Sequence, residues 1–308
     1  MNHPSIVGLR RLPAPVAWVF TGGGARSAAQ VGMAEVLLEQ GLRPDLLVGA
    51  GLGALNATAL LDDTTDLRAL RGAWQRIGAD SALSSLGTAA VRAFSARRTG
   101  RSTHTYREIL ASAVPGDPTR AVPPHLRLVA SDLTSGRAVV MRAGIIESLA
   151  ASAAVPLIFQ PAQVGDMTLV DGSLTAAAPL DQALAADAAS IVLLDTGASA
   201  VTETSVPDLR WWQVAGLAYG HQIRGQLGHA LMRAAPRVPV VTLTTAEGGQ
   251  LDFTEPAGHV AAGRSTASHA LARGLGDRRD WSPGMYGVPA GLAEDPRLVD
   301  LVRWVDPE

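Results

Sequence analysis

The chain of 308 residues contains no cysteine, which excludes disulfides, thiol catalysis and zinc–thiolate sites. It contains no lysine: every one of its 26 Lys+Arg positions is arginine. Schiff-base chemistry and a P-loop lysine are therefore excluded. No stretch approaches the ~20 apolar residues of a membrane-spanning helix. The opening MNHPSIVGLRRLPAPVAWVF makes a poor signal peptide, because Pro13 and Pro15 follow the arginine pair and the apolar run is short. The expectation is a cytoplasmic protein, with peripheral membrane contact left open. No HExxH, paired histidine or Asp-x-Asp cluster suggests a metal, and no cofactor is expected. A net charge of −2 gives no sign of nucleic-acid binding.

What is present is apolar. Hydrophobic residues make up 47% and charged residues 18%, enough for a sizeable core. Val16 to Phe20 reads as a strand, followed by a helical pattern from Ala25 to Gln40 with Ala29, Met33, Val36 and Leu37 on one face. Leu46 to Ala50 is a second strand, Leu52 to Leu61 a helix, and Asp66 to Ile77 another. Leu126 to Ser131 and Ala138 to Met141 form a hairpin around Asp132 to Gly136. A helix from Ile145 to Ala153, a strand at Thr168 to Val170, a helix from Pro179 to Ala186 and a strand from Ile191 to Asp195 follow. Asp208 to Ala234 and Ala257 to Arg273 are long helices. Between them Val238 to Leu243 is a strand, placed at a sheet edge by Pro239. Strands of this kind, alternating with helices, predict a three-layer α/β/α fold with a mostly parallel central sheet. The division is an N-terminal extension (1–14), one domain (15–275) and an irregular C-terminal segment (276–308). Residues 79–107 hold five arginines and no acid after Asp80; they read as a solvated loop, or as a lid or mobile insertion.

Chemistry is expected at the carboxyl ends of the strands. Gly22, Gly23 and Gly24 precede Arg26 and a helix; consecutive glycines there aim backbone N–H groups at a developing negative charge. Gly49, Gly51 and Ala54 match a dinucleotide fingerprint, but no strand ends in an acid about 20 residues on, so that match is weak. The same stretch, VGAGLGALNA, also fits a nucleophile elbow, G-x-S-x-G, with Gly51 in the serine position. Asp171-Gly172-Ser173 ends a later strand. None of the seven histidines adjoins these motifs. Trp211 and Trp212 read as core or as membrane-interface residues.

Four blocks in order resemble the patatin-like phospholipases. Gly22 to Arg26 resembles the family's oxyanion loop G-G-G-x-R-G, and Gly49 to Ala57 its G-x-S-x-G-A-x-N-A block. Ala151 to Phe159 is similar to A-S-x-A-x-P-x-x-F, and Asp171-Gly172-Ser173 to D-G-G/A. The resemblance covers residues 15 to 275. It implies a Ser-Asp dyad acting on a lipid acyl ester, with Asp171 activating the serine, the loop amides holding the oxyanion and no cofactor. Three departures matter: Gly51 stands in place of the nucleophile, Ser27 in place of a glycine, and Ser173 in place of glycine or alanine. The expectation is a hydrolase inactive or severely impaired as written. The alternatives are a non-catalytic acyl- or protein-binding pseudoenzyme and, more weakly, a dinucleotide-binding protein. Rescue by Ser27, by Ser173 or by a water held at Asp171 is a minor route.

Overall fold

The computed structural model describes residues 8–62, 66–79, 104–156, 159–197, 211–245, 252–275 and 277–305, together with Glu247 and Gly249. Its strands are β1 (Val16–Phe20), β2 (Leu46–Ala50), β3 (Leu126–Asp132), β4 (Ala138–Val140), β5 (Ala162–Val164), β6 (Met167–Asp171), β7 (Ser190–Asp195), β8 (Pro239–Thr244), β9 (Gly284–Tyr286) and β10 (Val302–Trp304). Among the described residues they form a ten-stranded sheet in the order β10-β9-β8-β7-β1-β2-β3-β6-β5, with β4 also on β3. β4, β5 and β6 are antiparallel to their neighbours; the other pairings are parallel.

The helices are α1 (Ala29–Glu39), α2 (Gly53–Ala59), α3 (Arg68–Ala79), α4 (His104–Ala111), α5 (Ile145–Ser152), α6 (Leu180–Leu184), α7 (Trp211–Ala234) and α8 (Pro256–Ala270). Successive strand residues point to opposite faces, so each central strand feeds two cores. Trp18 and Phe20 of β1, with Val192 and Leu194 of β7, pack under α1, α2 and α3. Ala17 and Val19, with Ile191 and Leu193, pack under α6 and α7. That is why the strand runs are continuously apolar, and it is the three-layer arrangement the sequence predicts.

Several expectations need correction. Pro239 does not mark an edge: β8 pairs with β7 on one side and β9 on the other. As the first residue of its strand, Pro239 can lack an N–H without breaking the ladder. The segment after Gly276 is not wholly irregular, because it supplies β9 and β10. The helix expected from Ala25 opens as a 3-10 turn over Gly24–Ala28. The expected lid at 79–107 falls on residues 80–103, outside the described residues; from His104 onward the chain is α4. The side chains of Trp211 and Trp212 also lie outside the described residues.

Candidate active site

β1 and β2 are parallel neighbours with Phe20 opposite Gly49, so the two glycine-rich loops leave the sheet side by side. Gly51 has φ +58°, the left-handed region. A side chain there costs roughly 1–2 kcal/mol of strain, and glycine avoids it. Gly53 must be small for a different reason. A Cβ on it would lie 2.5 Å from Thr21 O and 2.6 Å from Phe20 O, inside the end of β1.

The acid arrives from the other direction. Val129 of β3 pairs with Ala50 of β2 and with Val140 of β4. The next residue, Ala130, pairs with Val139 of β4 and Asp171 of β6. β6 therefore takes over the side of β3 that β2 vacates, running the opposite way, and the two strands end at the same point. The third sequence block holds this junction together. Ser152 Oγ donates to Val129 O at 2.6 Å, and the Asp171 N–H donates to Ala154 O at 2.9 Å. Ser131 Oγ adds a bond to Asp171 O at 2.8 Å.

The outcome is close contact between Gly51 and Asp171. A Cβ on Gly51 would sit 3.1 Å from Asp171 Oδ1 and 3.2 Å from Oδ2. Oδ1 accepts the Ser173 N–H at 2.7 Å and the Ser173 hydroxyl at 2.5 Å. Oδ2 takes no hydrogen bond among the described residues. Burial raises the Asp171 carboxyl to about 6, against the opposing effect of the Ser173 bonds. Two of the chain's three tyrosines feel the charge of this carboxylate. Tyr219 OH lies 3.0 Å from Ser173 Oγ, and its phenol is pushed up to about 12 by burial and then by the Asp171 charge. Tyr106, stacked on Phe159 at 4.1 Å, is raised by the same two causes in the same order.

Within the glycine loop the Gly22 amide is already used, donating to Ala177 O at 3.2 Å. Among the described residues no acceptor takes the Gly23 and Gly24 amides. Gly22 O accepts from Thr196 Oγ1 at 2.9 Å. Arg26 does not face Asp171 through any hydrogen bond; it donates to Gly197 O at 3.0 Å. Burial lowers its pKa while Asp195 opposes that effect. Asp195 is itself buried and raised to about 6 by desolvation, with Thr244 Oγ1 donating to it at 2.6 Å.

Beneath the loops runs a buried polar chain. Trp74 Nε1 donates to Asn56 Oδ1 at 2.9 Å. Asn56 Nδ2 donates to Gln30 Oε1 at 2.8 Å and to Ser27 O at 2.7 Å. Gln30 Nε2 reaches Thr21 O at 2.9 Å and Leu194 O at 2.8 Å. This chain ties α1, α2 and α3 to the ends of β1 and β7, and so sets the position of both loops.

Of the residues singled out in the sequence, Gly51, Asp171, Ser173 and the glycine loop converge. Ser27 does not join them: it is fully buried with its hydroxyl unpartnered. Tyr106, Tyr219 and Asp195 carry no sequence signal. Helix α2 is followed by α3 and not by a strand, so the dinucleotide reading lacks its ribose-binding acid. Among the described residues no acidic or histidine cluster is arranged to hold a metal, and no helix is long and apolar enough to cross a membrane.

The crystal structure of VipD from Legionella pneumophila is similar at a TM-score of 0.39, with 12% sequence identity over 88% of this chain and 68% of that one. The family model for patatin-like phospholipase matches residues 18–184, more than half of the chain and all four sequence blocks. The chain belongs to the patatin-like phospholipase family.

Proposed function

We propose that this chain carries a patatin-type acyl-ester site whose elbow has lost its nucleophile. Family membership gives the lipid-hydrolase class; the state of position 51 is the finer reading. The observation that carries it is the approach of Gly51 to both Asp171 oxygens, at 3.1 and 3.2 Å from a Cβ, on backbone already at φ +58°. A hydroxyl on that Cβ would address the carboxylate as a Ser-Asp dyad requires, beside the amides of Gly23 and Gly24. Glycine supplies no Oγ, so no acyl-enzyme forms at position 51. Loss of a hydrolase nucleophile costs on the order of 10⁶ in kcat. Oxyanion donors alone leave roughly 10³ over water.

Hydrolysis of short-chain p-nitrophenyl esters by the chain and by Gly51→Ser tests this. The serine variant is expected to be faster by at least ~10³-fold, with the gain removed by Asp171→Asn. Equal rates in the two proteins would overturn the reading. A second reading, an acyl-binding protein without catalysis, is favoured by the open Gly23 and Gly24 amides. It takes over if neither protein hydrolyses an ester and both bind an acyl carboxylate.

A further inference from the structure

We infer that Ser173 is a substitute nucleophile, placed on the far side of the same aspartate. The inference rests on the acyl-ester reading above and adds the residue through which this chain's own chemistry runs. The Asp171 carboxylate is shared. Its oxygens lie 3.1 and 3.2 Å from the Cβ position of Gly51, and Oδ1 accepts from Ser173 Oγ at 2.5 Å. A hydroxyl at 173 therefore donates to the carboxylate that a hydroxyl at 51 would use. The oxyanion loop is also within contact: a Cβ on Gly22 would meet Ser173 Cβ at 2.6 Å and Oγ at 3.2 Å. Ser173 thus touches both the base and Gly22 of the glycine loop, without residue 51.

The plain alternative is a turn clasp, in which an aspartate accepts the N–H and hydroxyl of the residue two further on. That clasp occurs elsewhere in the chain. Thr119 gives N–H and Oγ1 to Asp117 Oδ1 at 2.8 and 2.7 Å, and Thr254 gives both to Asp252 Oδ1 at 3.1 and 2.6 Å. Those aspartates are exposed, and their pKa values are lowered by the clasp. Asp171 differs in three respects. It is buried, with both carboxylate oxygens against the Cβ position of Gly51 at the elbow. Its clasp hydroxyl also meets Tyr219 OH at 3.0 Å. And burial outweighs the clasp, raising the carboxyl to about 6.

In the reaction, Ser173 Oγ bonds to the ester carbonyl carbon and its proton passes to Asp171. The carbonyl oxygen takes the negative charge beside the Gly23 and Gly24 amides. Collapse breaks the bond to the alcohol oxygen, which leaves with the proton from Asp171. Water then gives a proton to Asp171 and attacks the acyl carbon; the acid departs and the proton returns to Ser173 Oγ.

A fluorophosphonate probe reports on this directly, since the serine oxygen displaces fluoride and keeps the phosphorus. The unmodified chain and Gly51→Ser are each labelled and digested, and the adduct is mapped by mass spectrometry. The expected result is an adduct on Ser173 in the unmodified chain, slowed at least ~10²-fold by Asp171→Asn, as for loss of a general base. An unlabelled chain beside a Gly51→Ser protein labelled at position 51 overturns the inference and leaves the acyl-ester site intact. If neither protein is labelled, both fail. An adduct elsewhere in the unmodified chain also overturns it.

Discussion

Ser27 stands where the family has glycine, and at this position the fold is under-satisfied. Its side chain is fully buried and Oγ has no hydrogen-bond partner, although its carbonyl serves Asn56. An unpaired buried hydroxyl costs about 1–3 kcal/mol. Ser27→Ala removes the hydroxyl, keeps Cβ and leaves the Asn56 bond in place. A gain of about 1 kcal/mol is expected, a rise of roughly 2 °C in Tm by calorimetry for a protein of this size. A fall in Tm would mean that the hydroxyl has a partner. The contrast with Gly51 and Ser173 shows what residue-level reading achieves. The flanks of Gly51 identify an elbow because strand, glycine and helix start are adjacent in the chain. The clasp between Ser173 and Asp171 is two residues long and equally local. That the Ser27 hydroxyl ends up buried without a partner among the described residues is decided by tertiary packing and is not encoded nearby.

At the scale of elements, the sites owe their position to how closely helices approach. α1 carries the glycine loop at its start and lies against α8. A Cβ on Gly263 of α8 would fall 1.8 Å from Ala29 O, and one on Gly32 of α1 would fall 2.0 Å from Val260 O. The backbones touch because both residues are glycine. Gly258 lies on the same α8 with nothing within 4 Å of its Cβ position. Helix propensity alone favours alanine at either site by about 1 kcal/mol. Intrusion into backbone costs typically 1–3 kcal/mol and opposes it only at Gly263. Opposite signs are therefore expected in chemical denaturation. Gly258→Ala gains up to ~1 kcal/mol, while Gly263→Ala loses ~2 kcal/mol. A gain from both would show that the helices part without cost. Propensity and periodicity do reveal β1, β2 and β7, whose runs of four to six buried, mostly apolar residues stand between clear breakers. They do not reveal β5, β9 and β10, three-residue strands whose pairing is decided by neighbours far along the chain. Pro239 suggests an edge for the same reason: β9, which covers that side of β8, comes from the tail.

Taken whole, the molecule places two buried acids, Asp171 and Asp195, at the ends of β6 and β7. Gly51, Asp171, Tyr106 and Tyr219 come from four separate stretches, and the two tyrosines are invisible until the chain is folded. Asp171 and Asp195 are each raised to about 6, chiefly by desolvation. A carboxyl raised by folding binds its proton more tightly in the native state than in the unfolded chain. Between about pH 4 and pH 6 the native state then holds more protons, so stability falls as pH rises through that window. The favourable contribution is complete below about pH 4 and gone above about 6. At about 1.4 kcal/mol per pH unit, Asp171 alone accounts for on the order of 3 kcal/mol. Asp195 acts in the same direction, moderated by the hydrogen bonds it accepts, Thr244 first. The lowered carboxyls, among them Asp117, Asp132 and Asp295, act oppositely and chiefly below about pH 4. Asp171→Asn keeps an acceptor for Ser173 and carries no charge. Urea unfolding at successive pH values is therefore expected to show a shallower decline from pH 4 to 6 for this variant, and greater stability than the parent at pH 7. An identical pH profile for the two proteins would mean that Asp171 is solvated as an ordinary carboxylate, and its capacity to act as a base near neutrality would have to be sought in another cause.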